Sequence, residues 1–302
     1  MKHLCFLVTV ALGVLFGSST IDGVTILPTK FENNLIYLTI PNGKGDTLLL
    51  HTGTGGKNLM YKGGFKKLKV RYKKENFWRY TGFDTLFPTH QIPLPESRKM
   101  YRVKGKHTED GVLGREWFRG KIWEFDYNVK QLRVLQDLDG TCSPLTDLYF
   151  LDDTYLRMTD KCGRFFIIVD GKTIPMLFDT GAQIKLSSEA QKELSNSSSL
   201  VAGSYINASV FDKWVASHPD WIVVKGGNVS VGDEDMIKVP EVRIGEVTIG
   251  PVWFAKRANY NFNTMSEMCM DDHVSGALGG NAFTQLGSVI ADYPGRRLYV
   301  RR

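Results

Sequence analysis

The sequence is poor in cysteine, in proline and in long apolar runs. Four cysteines in 302 residues, Cys5, Cys142, Cys162 and Cys269, are too few for a disulfide-built scaffold. None of their spacings suggests a metal site, and the six histidines do not cluster, so neither metal nor cofactor is implied. The formal net charge of +6 comes without a nucleic-acid motif. Helical periodicity is scarce. Only Ser187 to Asn196, with a serine cap and good helix formers, and Phe211 to Ser217 read as short helices.

One apolar stretch, Leu4 to Phe16, follows Lys2 and His3 and precedes Gly17-Ser18-Ser19. It is too short for a comfortable membrane span, and no other stretch could span. A basic start, a short apolar region and small residues at the end make residues 1–20 a signal peptide. The expected product is exported, to the extracellular space or the periplasm; an uncleaved anchor is the alternative. Cys5 would leave with the leader. Cys142 and Cys162 could then be joined by a disulfide, leaving Cys269 alone, but other pairings stay open.

What the chain does have is strand grammar, written twice. Leu35 to Gly53 reads LIYLTIPNGKGDTLLLHTG and Phe165 to Gly181 reads FFIIVDGKTIPMLFDTG. Each is a strand, a glycine turn, a second strand and a polar-Thr-Gly turn. Gly43 to His51 and Gly171 to Asp179 both span 8 residues. Downstream, Gly111 to Val134 and Gly276 to Val300 both open on Gly-x-Leu-Gly and carry a phenylalanine 7 residues in, at Phe118 and Phe283. Both then reach an Asp-Tyr pair, Asp126-Tyr127 and Asp292-Tyr293. Two ordered blocks matched in this way indicate an internal duplication.

The second copy holds the most informative feature. Ile174 to Ala182, IPMLFDTGA, delivers an aspartate from an apolar strand into a Thr-Gly turn. A buried carboxylate is costly unless it is hydrogen-bonded or used. Taken alone, the triplet also reads as an ordinary Asx turn.

With its partner segments, the chain resembles the aspartic peptidases, and within them the retropepsin-like lobes of secreted two-lobed proteins. The residues carrying the resemblance are Phe178-Asp179-Thr180-Gly181-Ala182, the later Ala277-Leu278-Gly279, and the strands of Lys238 to Phe254 between them. It covers most of residues 31–136 and 163–302 and implies a mainly β, two-lobed fold with few short helices. The expected lobes are residues 21–140 and 163–302, joined by a linker over 141–162. It implies Asp179 as the catalytic residue, with Thr180, Gly181 and Ala182 shaping its loop. The counterpart in the first lobe reads His51-Thr52-Gly53, with Leu113-Gly114 behind it, so His51 stands where a second aspartate is expected. Gln183 is a milder departure, at a place where a small polar or acidic residue is usual.

The family's chemistry needs two carboxylates that share one proton and a water between them that attacks the peptide carbonyl. A histidine facing Asp179 breaks that arrangement. Three readings follow: an unusual Asp179–His51 pair, a homodimer that brings two Asp179 side chains together, or a pseudo-peptidase whose cleft binds a peptide or protein partner without cutting it. The expected substrate or ligand is a polypeptide. Flap candidates are Tyr80 in the first lobe and Gly226-Gly227 in the second. Lys62 to Lys74 alternates Leu68, Val70 and Tyr72 with Lys69, Arg71 and Lys73, which predicts an edge strand with one buried and one basic face.

Overall fold

The computed structural model describes residues 19–302 apart from 22, 42–46, 55–56, 69–71, 76–77, 83–92, 94, 96–97, 105–106, 152–161 and 231. The expected leader lies outside these residues up to Ser18. Ser19–Ile21 already forms a strand, paired with Val24–Ile26.

The fold is mainly β and two-lobed, with few short helices. An eight-stranded sheet built from residues 29–102 and Gly111–Leu113 forms the first lobe. A nine-stranded sheet built from residues 164–278 forms the second. A seven-stranded sheet takes strands from both ends of the chain and joins the lobes at their base.

The duplicated segments take up the same structure twice. Thr47–Thr52 runs parallel to Gly111–Leu113, and Lys172–Phe178 runs parallel to Gly276–Leu278. After each Gly-x-Leu-Gly unit the chain turns into one short helix, Arg115–Phe118 or Gly280–Phe283. The N–H of Gly114 donates to Asn58 Oδ1 at 2.9 Å, and that of Gly279 to Ser204 Oγ at 3.1 Å. Phe118 and Phe283 are both fully buried. The strands that end in the two Asp-Tyr pairs, Ile122–Asp126 and Ser288–Asp292, then pair antiparallel with each other in the base sheet. Asp126 and Asp292 each accept backbone N–H groups of the turn that follows.

One core runs through both lobes. Phe178, at the end of the Asp179 strand, lies 6.0 Å from Phe125 of the base sheet and 5.0 Å from Phe283, ring centre to ring centre. Such aromatic contacts add to the area they remove from water.

Several expectations need correction. Lys62–Leu68 is a helix, not a strand, and it buries Phe65 and Leu68 at helical spacing, whereas Lys73–Glu75 does form an edge strand of the first-lobe sheet, paired with Trp78–Gly82. Gly64 permits its close approach: a Cβ there would lie 2.3 Å from Met60 Sδ and 2.6 Å from the Asp110 carbonyl. Val70 and Arg71 lie outside the described residues, and Tyr72 is exposed. The expected linker contains the base-sheet strand Cys142–Asp147, paired with Arg297–Arg301. Tyr80 lies within the strand Trp78–Gly82, paired with Tyr101, and not at a hairpin tip. Gly226 and Gly227 sit where the Val223–Asn228 ladder shifts register, with Gly226 at φ +56, rather than at the end of that hairpin. The helices Ser188–Glu193 and Ala208–Ser217 form where the sequence places them, the second starting before Phe211, and are capped by Ser187 and Asn207. The helix Asn259–Cys269 has no sequence forecast.

Glu124 ties the base sheet together. It is 1% exposed, and it accepts from Arg301 Nε at 2.6 Å, Ser288 Oγ at 2.9 Å and Arg133 Nη1 at 3.1 Å. Burial works against its charge, but these donors outweigh that and hold its pKa below the ordinary value. Glu124→Ala would remove the buried acceptor shared by Arg301, Ser288 and Arg133, leaving Arg133 to Asp126 and Arg301 to Asp139, and should destabilise the protein by about 2 kcal/mol in urea unfolding. A loss under about 1 kcal/mol would mean that the arginines rehydrate freely.

Candidate functional site

The two Thr-Gly turns meet where the lobes meet, and their hydrogen bonds define which residues correspond. Asp179 N donates to the Leu278 carbonyl at 3.1 Å, and Gly53 N donates to the Leu113 carbonyl at 2.9 Å. Thr54 Oγ1 donates to the Phe178 carbonyl at 2.6 Å, just before Asp179. Thr180 Oγ1 donates to the Thr52 carbonyl at 3.3 Å, just before Gly53. Thr180 N also donates to Thr54 Oγ1 at 3.1 Å. Both threonines are buried. Thr52-Gly53-Thr54 is therefore the counterpart of Phe178-Asp179-Thr180.

This corrects the pairing read from the sequence by two residues. The residue opposite Asp179 is Gly53, and His51 corresponds to Leu177. The cause is the length of the first hairpin. Pro41 pairs with Thr47, whereas Val169 pairs with Lys172, so counting from a turn glycine misplaces the first-lobe register. Glycine also suits the meeting of the loops. A Cβ on Gly181 would lie 2.7 Å from Gly53 Cα and 2.9 Å from the Thr52 carbonyl oxygen.

His51 and Gln183, the two departures noted in the sequence, contact each other. His51 Nδ1 is 2.9 Å from Gln183 Nε2 across the lobe interface. With that amide donating, the neutral ring carries its proton on Nε2, which has no partner among the described residues. His51 is 4% exposed and its ring lies 5.1 Å from that of Tyr37. Burial lowers its pKa to about 4, against the opposing charge of Glu109. The ring is thus neutral near neutral pH.

Asp179 is partly buried and accepts from Gly181 N at 3.0 Å through Oδ1. The loss of solvent raises its pKa to about 6, and the Gly181 N–H pulls the other way. Ala182 is buried and supports the turn, its N–H donating to the Asp179 carbonyl.

Asp179, His51 and Gly53 open onto a cavity of about 700 Å³. Its first-lobe wall carries Tyr61, His107, Glu109 and Val112. Its other wall comes from the unforecast helix Asn259–Cys269, through Asn261, Thr264, Met265, Met268 and Cys269. None of the flap candidates, Tyr80, Gly226 and Gly227, lines it. Cys162 also lines it and meets Cys269, sulfur to sulfur at 3.2 Å, while Cys142 lies beside Asp139. The cysteine neighbours are therefore Cys162 and Cys269 rather than Cys142 and Cys162.

Among solved structures, 220 chains match. One is the crystal structure of aspartic proteinase from Irpex lacteus, with a TM-score of 0.51 over 92% of this chain and 97% of that one, at 9% sequence identity. The fold is an aspartic-proteinase fold. No protein-family model matches the sequence, and no curated protein does. Within this fold, the paired loops place one carboxylate, Asp179, opposite a glycine. The two loops themselves supply one carboxylate, Asp179, whose pKa burial raises to about 6, and the neutral imidazole of His51 lines the same cavity.

Both titrations leave a mark on stability. The folded pKa of Asp179 lies above the ordinary carboxylate value, so the folded state holds its proton longer and stability falls as pH rises from about 4 to about 6. Asp179→Asn should match the parent below about pH 4 and exceed it by about 3 kcal/mol at neutral pH in urea unfolding. The folded pKa of His51 lies below its ordinary value, so stability falls as pH drops from about 6.5 to about 4, and His51→Asn should remove that loss. Parallel stability–pH curves for parent and variants would contradict this electrostatic picture.

Proposed function

We propose that the protein binds an extended polypeptide in its inter-lobe cleft and does not perform two-carboxylate hydrolysis as a monomer. The observation that carries this reading is Gly53 opposite Asp179 across the hydrogen-bonded loops. The shared-proton chemistry needs a carboxylate on each side. The fold and the cavity support a polypeptide ligand. The expected leader, residues 1–20, supports action after export, outside the cell or in the periplasm.

A second reading is peptide-bond hydrolysis through Asp179 alone. It is favoured by the pKa of about 6, which suits a general acid or base near neutrality. Completion of the dyad by a homodimer is disfavoured, because the first-lobe loop already occupies the facing position and three buried hydrogen bonds would have to break.

Gly53→Asp tests the scaffold directly. A Cβ at Gly53 would meet only Val112 Cγ1, at 3.3 Å, and the residue is not among those with positive φ. Parent, Asp179→Asn, Gly53→Asp and the double variant would be incubated with a complex peptide mixture from acidic to neutral pH, and new termini counted by mass spectrometry. The parent should not cleave. Gly53→Asp should gain acid-optimum cleavage that disappears in the double variant. His51→Asp should gain none, since that side chain faces Gln183. Cleavage by the parent that is lost in Asp179→Asn would establish the second reading instead.

A further inference from the structure

The protein as a whole is basic, but the cavity beside Asp179 is not. The formal net charge is +6, with 38 lysines and arginines, and none of these lines the cavity among the described residues. Two carboxylates do, Asp179 and Glu109. Glu109 is 9% exposed. Its Oε2 accepts from Thr108 Oγ1 at 2.7 Å, and its Oε1 is 3.8 Å from His107 Nδ1. The next residue, Asp110, is treated differently: Lys67 Nζ sits on it at 2.7 Å. The other cleft histidine, His51, contributes no charge, and its Nε2 is a buried polar atom without a protein partner.

We propose that Glu109 makes this cleft selective for a polypeptide bearing a lysine or arginine side chain, whose cationic head it pairs with inside the cavity. The inference rests on the peptide-binding reading and adds the ligand class. A largely buried carboxylate gains most from a counter-charge that arrives with the ligand and excludes water. The surrounding walls suit the rest of such a side chain. Tyr61 and His107 are stacked 3.6 Å apart and offer an aromatic face for a guanidinium or ammonium group. Val112 and Met265 line the same cavity and can cover the methylene stem.

The test uses the full chain and short fluorescein-labelled peptides identical except for one central residue: lysine, arginine, norleucine or glutamate. Binding is read by fluorescence anisotropy. The lysine and arginine peptides should bind about tenfold more tightly than the norleucine peptide, and the glutamate peptide most weakly. In Glu109→Gln the lysine-to-norleucine ratio should fall to about one. A merely structural role for Glu109 would weaken all four peptides together and leave that ratio unchanged. Equal affinities in the parent, or a preference that survives Glu109→Gln, would overturn the proposal. Agmatine, an alkylguanidinium, separates the two readings by thermal shift. If no peptide binds but agmatine stabilises the parent and not the Gln variant, the cation site stands and the peptide reading falls. If agmatine also has no effect, both fall.

Discussion

The rest of the molecule is organised around the threonine hydrogen bonds between the two central loops. Thr54 and Thr180 each reach across to donate directly to the carbonyl that precedes the other loop's key residue, and both are buried. A buried hydroxyl that lost its acceptor would carry its full desolvation penalty, so the loops are held at one relative height. That height determines which residues face each other, where the cavity opens and which wall each lobe supplies. The aromatic core beneath, through Phe125, Phe178 and Phe283, supports the same arrangement.

Inside this frame Asp179 and His51 are both shifted towards their neutral forms. Asp179 holds its proton to about pH 6 and His51 releases its own by about pH 4, so between those limits the neutral forms of both predominate. Each is the less charged form of its type, as expected where neither has an ionic partner and solvent is scarce. A functioning dyad shares one negative charge between two acids. Here the facing position holds only the Gly53 backbone.

Much of this was legible in the sequence. The duplication, the apolar strand that ends at Asp179, the paired Gly-x-Leu-Gly segments, the serine-capped helix after Ser187 and a helix over Phe211 to Ser217 all follow from local patterns, and each forms, the last starting earlier, at Ala208 behind an Asn207 cap. The first-lobe register was not legible. HTGTG offers two Thr-Gly steps, and only the ladder and the loop hydrogen bonds choose between them. The Lys62–Leu68 helix was hidden by alternating lysines further on; its buried face, Gly64, Phe65 and Leu68, packs with Gly64 close to Asp110, a contact far along the chain that local patterning does not reveal. The cavity wall from Asn259–Cys269 has a weak amphipathic pattern and no side-chain cap, so nothing local announced it. The partnership of His51 with Gln183 joins positions 132 residues apart, which no spacing could show.

The base sheet has a further consequence. Ile122–Asp126 and Ser288–Asp292 pair antiparallel, so the corresponding strands of the two halves are neighbours related by a local two-fold axis. In an assembly of two separate identical chains, any substitution in the central loop is made twice and the symmetry survives it. Joining the halves in one polypeptide removes that coupling. One loop can keep Asp179 while the other becomes glycine, and one wall can carry Glu109 while the other presents Asn261, Thr264 and Met265. The covalent link is what allows the two sides of a symmetric cleft to become chemically different.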